Sequence, residues 1–222
     1  MKNSLRGLFI AISIGEIVAL MAGLEYVHQI LKPLIMIVLG SYYLATIGRP
    51  SRSISLLLAI VLSFLGDVLL LFPGEQYFML GLGSFLFAHI SYILTYRKHR
   101  WYSGRPLPGT RKIRYSLPII LSGTGLLIVL YPHLGPLLVP VSIYAIVLMI
   151  MVLNAMFRYG LTSVSSFWMV FMGALLFMLS DSLLAINKFM TPIEDAGVFI
   201  MAAYISGQYL IVEGLIRHSH QE

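Results

Sequence analysis

The sequence contains no cysteine, which removes disulfides, thiol nucleophiles and thiolate metal ligands together. It is also poor in charge. Asp, Glu, Lys and Arg make up 11% of the 222 residues, against 59% hydrophobic. A soluble domain averages about 25% charged residues, so there is too little polar side chain here to cover a water-facing surface. Histidine is sparse as well. Of the six, His89 alone falls inside an apolar run, while His28, His99, His133, His218 and His220 read as loop or tail residues. A zinc site wants three or four His, Cys or carboxylate ligands. No metal and no other cofactor is therefore expected.

What is present is apolar length. A run of roughly 20 apolar residues crosses about 30 Å of hydrocarbon, and eight such runs can be read, with boundaries good to about 2–4 residues. They lie near 8–24, 30–47, 54–72, 77–96, 115–131, 134–157, 166–186 and 196–216. The connections are too short for a soluble domain. The expectation is one polytopic all-α membrane domain over 1–222, with eight transmembrane helices in a single bundle. The first run carries Glu16 at its centre and lacks a small-residue cleavage pattern, so it is read as a retained helix rather than a signal peptide.

The net charge of +6 carries no nucleic-acid signal, because of where the cations lie. Counted over alternate gaps between runs, thirteen of the fifteen Lys and Arg fall on one side. Lys32 and Lys188 are the two on the other. That asymmetry places both termini in the cytoplasm, as expected for a bacterial cytoplasmic membrane protein. The basic stretch "RKHRWYSGRPLPGTRKIR" at 97–114 is accounted for by topology and by contact with anionic membrane lipid.

Within this apolar background stand two aspartates, in "SFLGDVLLLF" at 63–72 and "FMLSDSLLAINKF" at 177–189. A charged group near the bilayer interior costs a few kcal/mol, so such residues face the bundle and mark functional sites by default. "GDVLL" and "SDSLL" echo each other, which suggests two parallel four-helix halves, with chance similarity of apolar helices as the alternative. Asp67 and Asp181 each precede the outer end of their run by five residues, roughly 7–8 Å. His89 and Gln208 each lie twelve residues inside theirs, roughly 18 Å. The equal depths make Asp67 the expected partner of Asp181.

Helical stripes surround these groups. Gly173, Phe177, Asp181, Leu184 and Lys188 share one face; Phe78, Gly81, Phe85, Ala88, His89 and Tyr92 share another; Tyr204, Gln208 and Ile211 a third. Gly173 and Ala174 suit a close helix contact. Ordinary packing also produces such stripes, and His89, Gln208 and Asn154 would serve equally as interhelical hydrogen bonders. Ser84 and Ser180 have no histidine in helical register to act as their base. Carboxylate acid/base chemistry is what remains.

In chain order, "LKPL" at 31–34, "LGDVLLLF", "FMLGLGSFLFAHISY", "GALLFMLSDSLLAINKF" and "YISGQYLIVEG" resemble the motifs of the YhhN family of membrane lysoplasmalogenases. The resemblance covers nearly the whole chain. The long basic loop at 97–114 is a departure from the family pattern. The family implies a hydrolase that cleaves the sn-1 vinyl ether bond of a lysoplasmalogen with water, giving a fatty aldehyde and a glycerophospho-alcohol. It carries Asp67 and Asp181 over as the acidic residues. Such a reaction needs one carboxyl to protonate the alkene and one carboxylate to stabilise the oxocarbenium ion and activate water. Burial and a neighbouring carboxylate keep one carboxyl protonated. With Ser180, Phe177 and Leu184 around it, Asp181 has the less polar company, which favours it as the acid.

Lys188, two turns or about 10 Å from Asp181 on the same face, is expected to bind the substrate phosphate, with Lys32 assisting. Snorkelling at a helix end is the other role for both. His89, Tyr204 and Gln208 complete the expected substrate-contacting set. The rival reading is a small-molecule or lipid transporter using paired intramembrane aspartates. Neither acidic run has the internal proline that a broken transporter helix would show. The sequence sets no oligomeric state.

Overall fold

A computed structural model describes residues 2–101 and 104–219; His220 and two residues of the 97–114 loop lie outside the described residues. Among the described residues there is no strand. The α-helices are α1 (Lys2–Met21), α2 (Glu25–Thr46), α3 (Ile54–Leu69), α4 (Glu75–Lys98), α5 (Gly109–Leu134), α6 (Leu138–Met156), α7 (Val164–Phe189) and α8 (Ala196–Ser219). Six helical stretches are long and apolar enough to cross a membrane: α1, α2, α4, α7, α8 and the 48-residue run Gly109–Met156. The chain is an all-helical integral membrane protein.

Helix ends depart from the hydropathy reading where local chemistry intervenes. The runs at 115–131 and 134–157 become one stretch, interrupted by a 3-10 turn at Gly135–Leu137. Gly135 supplies the positive φ of 47° there, which a side chain disfavours. Helix α3 begins with Ser53 capping the Leu56 amide at 3.3 Å, a favoured arrangement. It stops at Leu69, three residues short of the expected end, before the helix-incompatible Pro73–Gly74 with Gly74 at φ 114°. Helix α7 starts on Ser163, whose hydroxyl accepts from the Ser166 amide. It runs three residues past the expected end, and the Asn187 side chain accepts from the Ile193 amide beyond its close. His28, His133 and His218, read as loop or tail residues, lie in terminal turns of α2, α5 and α8.

The chain divides into two compact units, one up to Thr95 and one from Tyr96. In the first, Glu16 of α1 meets His28 of α2 at 2.6 Å. The Ser84 hydroxyl of α4 donates to the Leu62 carbonyl of α3 at 2.7 Å, and Thr95 donates to Ser55 at 2.9 Å. Gly66 makes the α3–α4 approach close, since a Cβ there would sit 2.6 Å from the Phe85 ring.

In the second unit α7 and α8 are in backbone contact. A Cβ on Gly173 would lie 2.7 Å from the Gly207 carbonyl oxygen, and one on Gly207 would lie 2.9 Å from that of Gly173. This is the close contact that Gly173 and Ala174 foreshadow. Hydroxyls fasten the pair on either side: Ser166 donates to the Gly214 carbonyl at 2.7 Å and Ser180 to that of Ile200 at 3.0 Å. In the α6–α7 connection Arg158 is fully buried and donates to the His99 carbonyl and to Ser166 Oγ. Removal from water lowers its guanidinium to about 10, so it stays charged at neutral pH and holds this connection to the segment after α4.

Candidate active site

Asp67 sits two residues before the end of α3 and is 2% exposed. Its α3 neighbours Ser63 and Gly66 are buried with it. The contact between Gly66 and Phe85 closes this part of α3 against α4. One turn further along α4, His89 is fully buried. Lys32 is half-buried on α2, one turn after His28. Lys32, Asp67 and His89 therefore belong to the first unit. Asp181, Lys188, Tyr204 and Gln208 belong to the second.

In the second unit Asp181 is half-buried on α7 and its Oδ2 accepts a hydrogen bond from the Tyr144 hydroxyl at 2.6 Å. Tyr144 comes from α6, where it shares a buried face with Val141, Leu148 and Met151. The sequence reading missed this tyrosine. Its signal was a phenol on the inward stripe of an otherwise aliphatic helix, at i+3 from Val141 and i−4 from Leu148. Ser180, considered as company for Asp181, points elsewhere and bonds to Ile200 of α8.

Tyr204 of α8 is buried and stands edge-on to Phe177 of α7, with ring centroids 5.4 Å apart and planes at 82°. Phe177 is one turn before Asp181. Gln208, one turn after Tyr204, is fully buried. Lys188 is exposed near the end of α7, seven residues beyond Asp181. The structure thus brings Asp181 together with Tyr144, and Tyr204 with Phe177.

The equal five-residue spacing of the two aspartates from their helix ends is not reproduced. Asp67 is two residues from the end of regular α3 and Asp181 eight from the end of α7, because α3 closes early and α7 late. A phenol also donates to Asp181, a polar neighbour beyond the Ser180, Phe177 and Leu184 expected around it. Among the described residues no three His, Asp or Glu side chains gather as metal ligands would. What the arrangement can supply is proton chemistry: a nearly fully buried carboxyl on α3, and a carboxyl on α7 held by an O–H donor.

Long apolar helices carrying ionisable groups at inward positions define an integral membrane protein with an acid-bearing interior. The chain belongs to the YhhN family, whose sequence pattern matches residues 27–215. It is 32% identical over 171 residues to a protein of Mycobacterium bovis named lysoplasmalogenase, covering 76% of this chain and 62% of that protein. It is 35% identical over 162 residues to the human protein named lysoplasmalogenase TMEM86B, covering 72% and 62%. With the bovine lysoplasmalogenase TMEM86A the identity is 32% over 156 residues, covering 68% and 61%. The matched stretch thus spans about three fifths of the length of these curated relatives. No solved structure matches the chain. Asp67, His89, Tyr144 and Asp181 all lie within the family match.

Proposed function

We propose that this protein is a membrane hydrolase that cleaves the sn-1 vinyl ether bond of a lysoplasmalogen, as the names of its relatives indicate for them. The observation that carries the reading is the state of the two aspartates. Each is set in an apolar helix within the family match, one nearly fully buried and one held by a phenol. Buried carboxyls retained in apolar helices are costly and mark chemistry.

Asp67 and Asp181 divide the work of acid and base. One carboxyl gives its proton to the outer alkenyl carbon, and the electron pair of the double bond forms the new C–H bond. The positive charge then rests on the carbon and oxygen of an oxocarbenium ion. The other, as carboxylate, stabilises that ion and takes a proton from the water that attacks its carbon. The hemiacetal so formed collapses: its hydroxyl proton passes to the carboxylate that had protonated the alkene, its carbon–oxygen bond to glycerol breaks, and the other carboxyl returns the proton it took from water to the glycerol oxygen. A fatty aldehyde and a glycerophospho-alcohol leave, with one water consumed. The reaction calls on protein groups that only donate and accept protons.

The substrate enters from the outer leaflet in this reading. Lys188 and Lys32 attract the phosphate, while Tyr204, Gln208 and His89 contact the substrate. The chain crosses the bilayer eight times with both termini on the cytoplasmic face, as the distribution of Lys and Arg supports. Helix α7 runs unbroken through Asp181, which does not favour the transporter reading. The test is aldehyde release from a lysoplasmalogen by the purified protein in detergent, with the matching acyl lysophospholipid as control. Turnover of the vinyl ether alone is expected; absence of aldehyde overturns the proposal.

A further inference from the structure

We infer that Arg97, Arg100 and Arg158 build an anion site that takes a phosphate group of net negative charge, carried by an acidic phospholipid or present as the free ion. The site lies within the second unit, where the end of α4, the α6–α7 connection and the last turn of α8 come together. His218 of that turn has its ring 5.9 Å from His99 and 5.6 Å from Trp101. Asp181 is seventeen residues beyond Val164, the first residue of α7, or about 25 Å along the helix. The site is therefore independent of the reaction proposed above.

Three observations support it. The Arg158 guanidinium is fully buried, and its bonds to the His99 carbonyl and to Ser166 Oγ use Nε and Nη2. Its Nη1 has no hydrogen-bond partner among the described residues, and a buried donor left unpaired is costly, more so when charged. Second, cations gather here without a counter-charge. Arg97 donates from Nε to Asn154 Oδ1 at 3.0 Å and Arg100 from Nη2 to the Asn154 carbonyl at 3.2 Å, so both stand over the last turn of α6. Among the described residues none of the three is paired with an Asp or Glu. A helix C-terminus offers roughly half a negative charge, against three positive ones. Removal from water lowers the Arg100 guanidinium first, and the charge of Arg97 lowers it further. Burial is again the main cause for Arg158, at about 10; Tyr96 offsets part of the effect and the charge of Arg100 adds to it. Third, the frame is fixed. The Trp101 amide donates to the Leu161 carbonyl at 2.8 Å. A Cβ on Gly104 would lie 2.6 Å from the Gly160 carbonyl oxygen, and one on Gly160, at φ 73°, would strike that of Arg105. The segment after α4 is thus held against the turn after α6, with the cations in place before an anion arrives.

A phosphate group suits this arrangement. Guanidinium forks bind phosphate oxygens in pairs, and each of the three has N–H groups beyond the bonds just described. Arg97 is exposed and Arg100 half-buried, so these two meet the anion directly. Arg158, buried beside them, adds charge that solvent screens little. In the proposed orientation this is the cytoplasmic end of the bundle, where basic pockets between transmembrane helices hold acidic headgroups. General contact of the 97–114 loop with anionic lipid needs none of this geometry and does not involve Arg158.

The experiment follows thermal unfolding of the full-length protein in detergent as lipid or ion is added. Short-chain phosphatidylglycerol should raise the midpoint by about 2–4 °C, the response of a chain of this length to modest binding of the folded state. Phosphatidylcholine of the same chains, whose phosphate is balanced by its own ammonium, should not. Lys98→Gln removes an exposed neighbouring cation and should keep the rise, whereas Arg97→Gln combined with Arg100→Gln should abolish it. Inorganic phosphate identifies the source. A rise equal to that with phosphatidylglycerol means that the ion alone fills the site; a rise with the lipid alone means that its chains anchor the headgroup there. No rise with either, or the same rise in the double variant as in the parent, overturns the site. So does an equal loss in Lys98→Gln, which would reduce the effect to diffuse charge. Should the double variant not fold, Arg97→Gln alone should lose most of the rise, and an undiminished rise in it overturns the site.

Discussion

Glu16 Oε1 on α1 stands 2.6 Å from His28 Nδ1 on α2, with Glu16 fully buried and the His28 side chain 22% exposed. The contact joins the first two helices as a local clamp. Among the described residues the second oxygen of Glu16 has no hydrogen-bond partner. His28→Ala therefore leaves a buried carboxyl without its donor and should cost about 1–3 kcal/mol. Replacing both by leucine should recover most of that loss, because an apolar pair needs no solvation. Thermal unfolding in detergent measures both; an unchanged midpoint in His28→Ala refutes the clamp.

The α7–α8 contact makes a sharper demand. Gly173→Ala would set a methyl 2.7 Å from the Gly207 carbonyl oxygen and force the helices apart. A Cβ at Gly125 on α5 meets nothing within 4 Å. Gly173→Ala should lower the unfolding midpoint, and Gly125→Ala should leave it unchanged or raise it, since helix propensity favours alanine by up to about 1 kcal/mol. Equal behaviour of the two would show that the backbone contact is not a constraint.

For the acid pair, asparagine keeps the size of the side chain and removes the proton transfer. Asp67→Asn and Asp181→Asn should each lower kcat at least ~100-fold, the lower range for general acid–base loss. The double substitution should be little worse than either, since the two act as one unit. EDTA should leave turnover unchanged. Folded Asp67→Asn protein working at the parental rate, or turnover abolished by EDTA, contradicts the carboxylate mechanism.

The two lysines separate by exposure. Lys188 is exposed near the end of α7 and Lys32 half-buried on α2, so the first presents the more accessible ammonium to a headgroup. Lys188→Met should raise KM by about 5–30-fold, equivalent to about 1–2 kcal/mol, with little change in kcat. Lys32→Met should do less. An unchanged KM in both leaves the lysines with interfacial anchoring alone.

Orientation is tested by chemical access. The chain has no native cysteine, so single cysteines introduced at Glu75 and at the exposed Arg105 report without background. An impermeant thiol reagent should reach them from opposite faces of sealed vesicles. Labelling from the same face rules out the proposed crossing pattern.

Composition and periodicity are local quantities, and what they determine here is local. The scarcity of charge dictated a membrane protein. Each apolar run falls on a helix, though α1 and α5 begin six residues before theirs, and the glycine at 173 announced a close contact before its partner was known. Asp67 and Asp181 stood out because an ionisable group in hydrocarbon is costly wherever its neighbours lie. What the sequence could not contain is which side chain meets which. Tyr144 reaches Asp181 across 37 residues of chain and Glu16 reaches His28 from the neighbouring helix, and both depend on how each helix is rotated and how deep it sits. Those two quantities are fixed by packing of whole surfaces, as where Gly173 and Gly207 let α7 and α8 touch. Helix lengths belong with them. Pro73 and Gly74 end the α3 run early, while the Asn187 side chain closes the turn after α7, so the depths of the two aspartates relative to their helix ends were set by breakers and caps that hydropathy does not record.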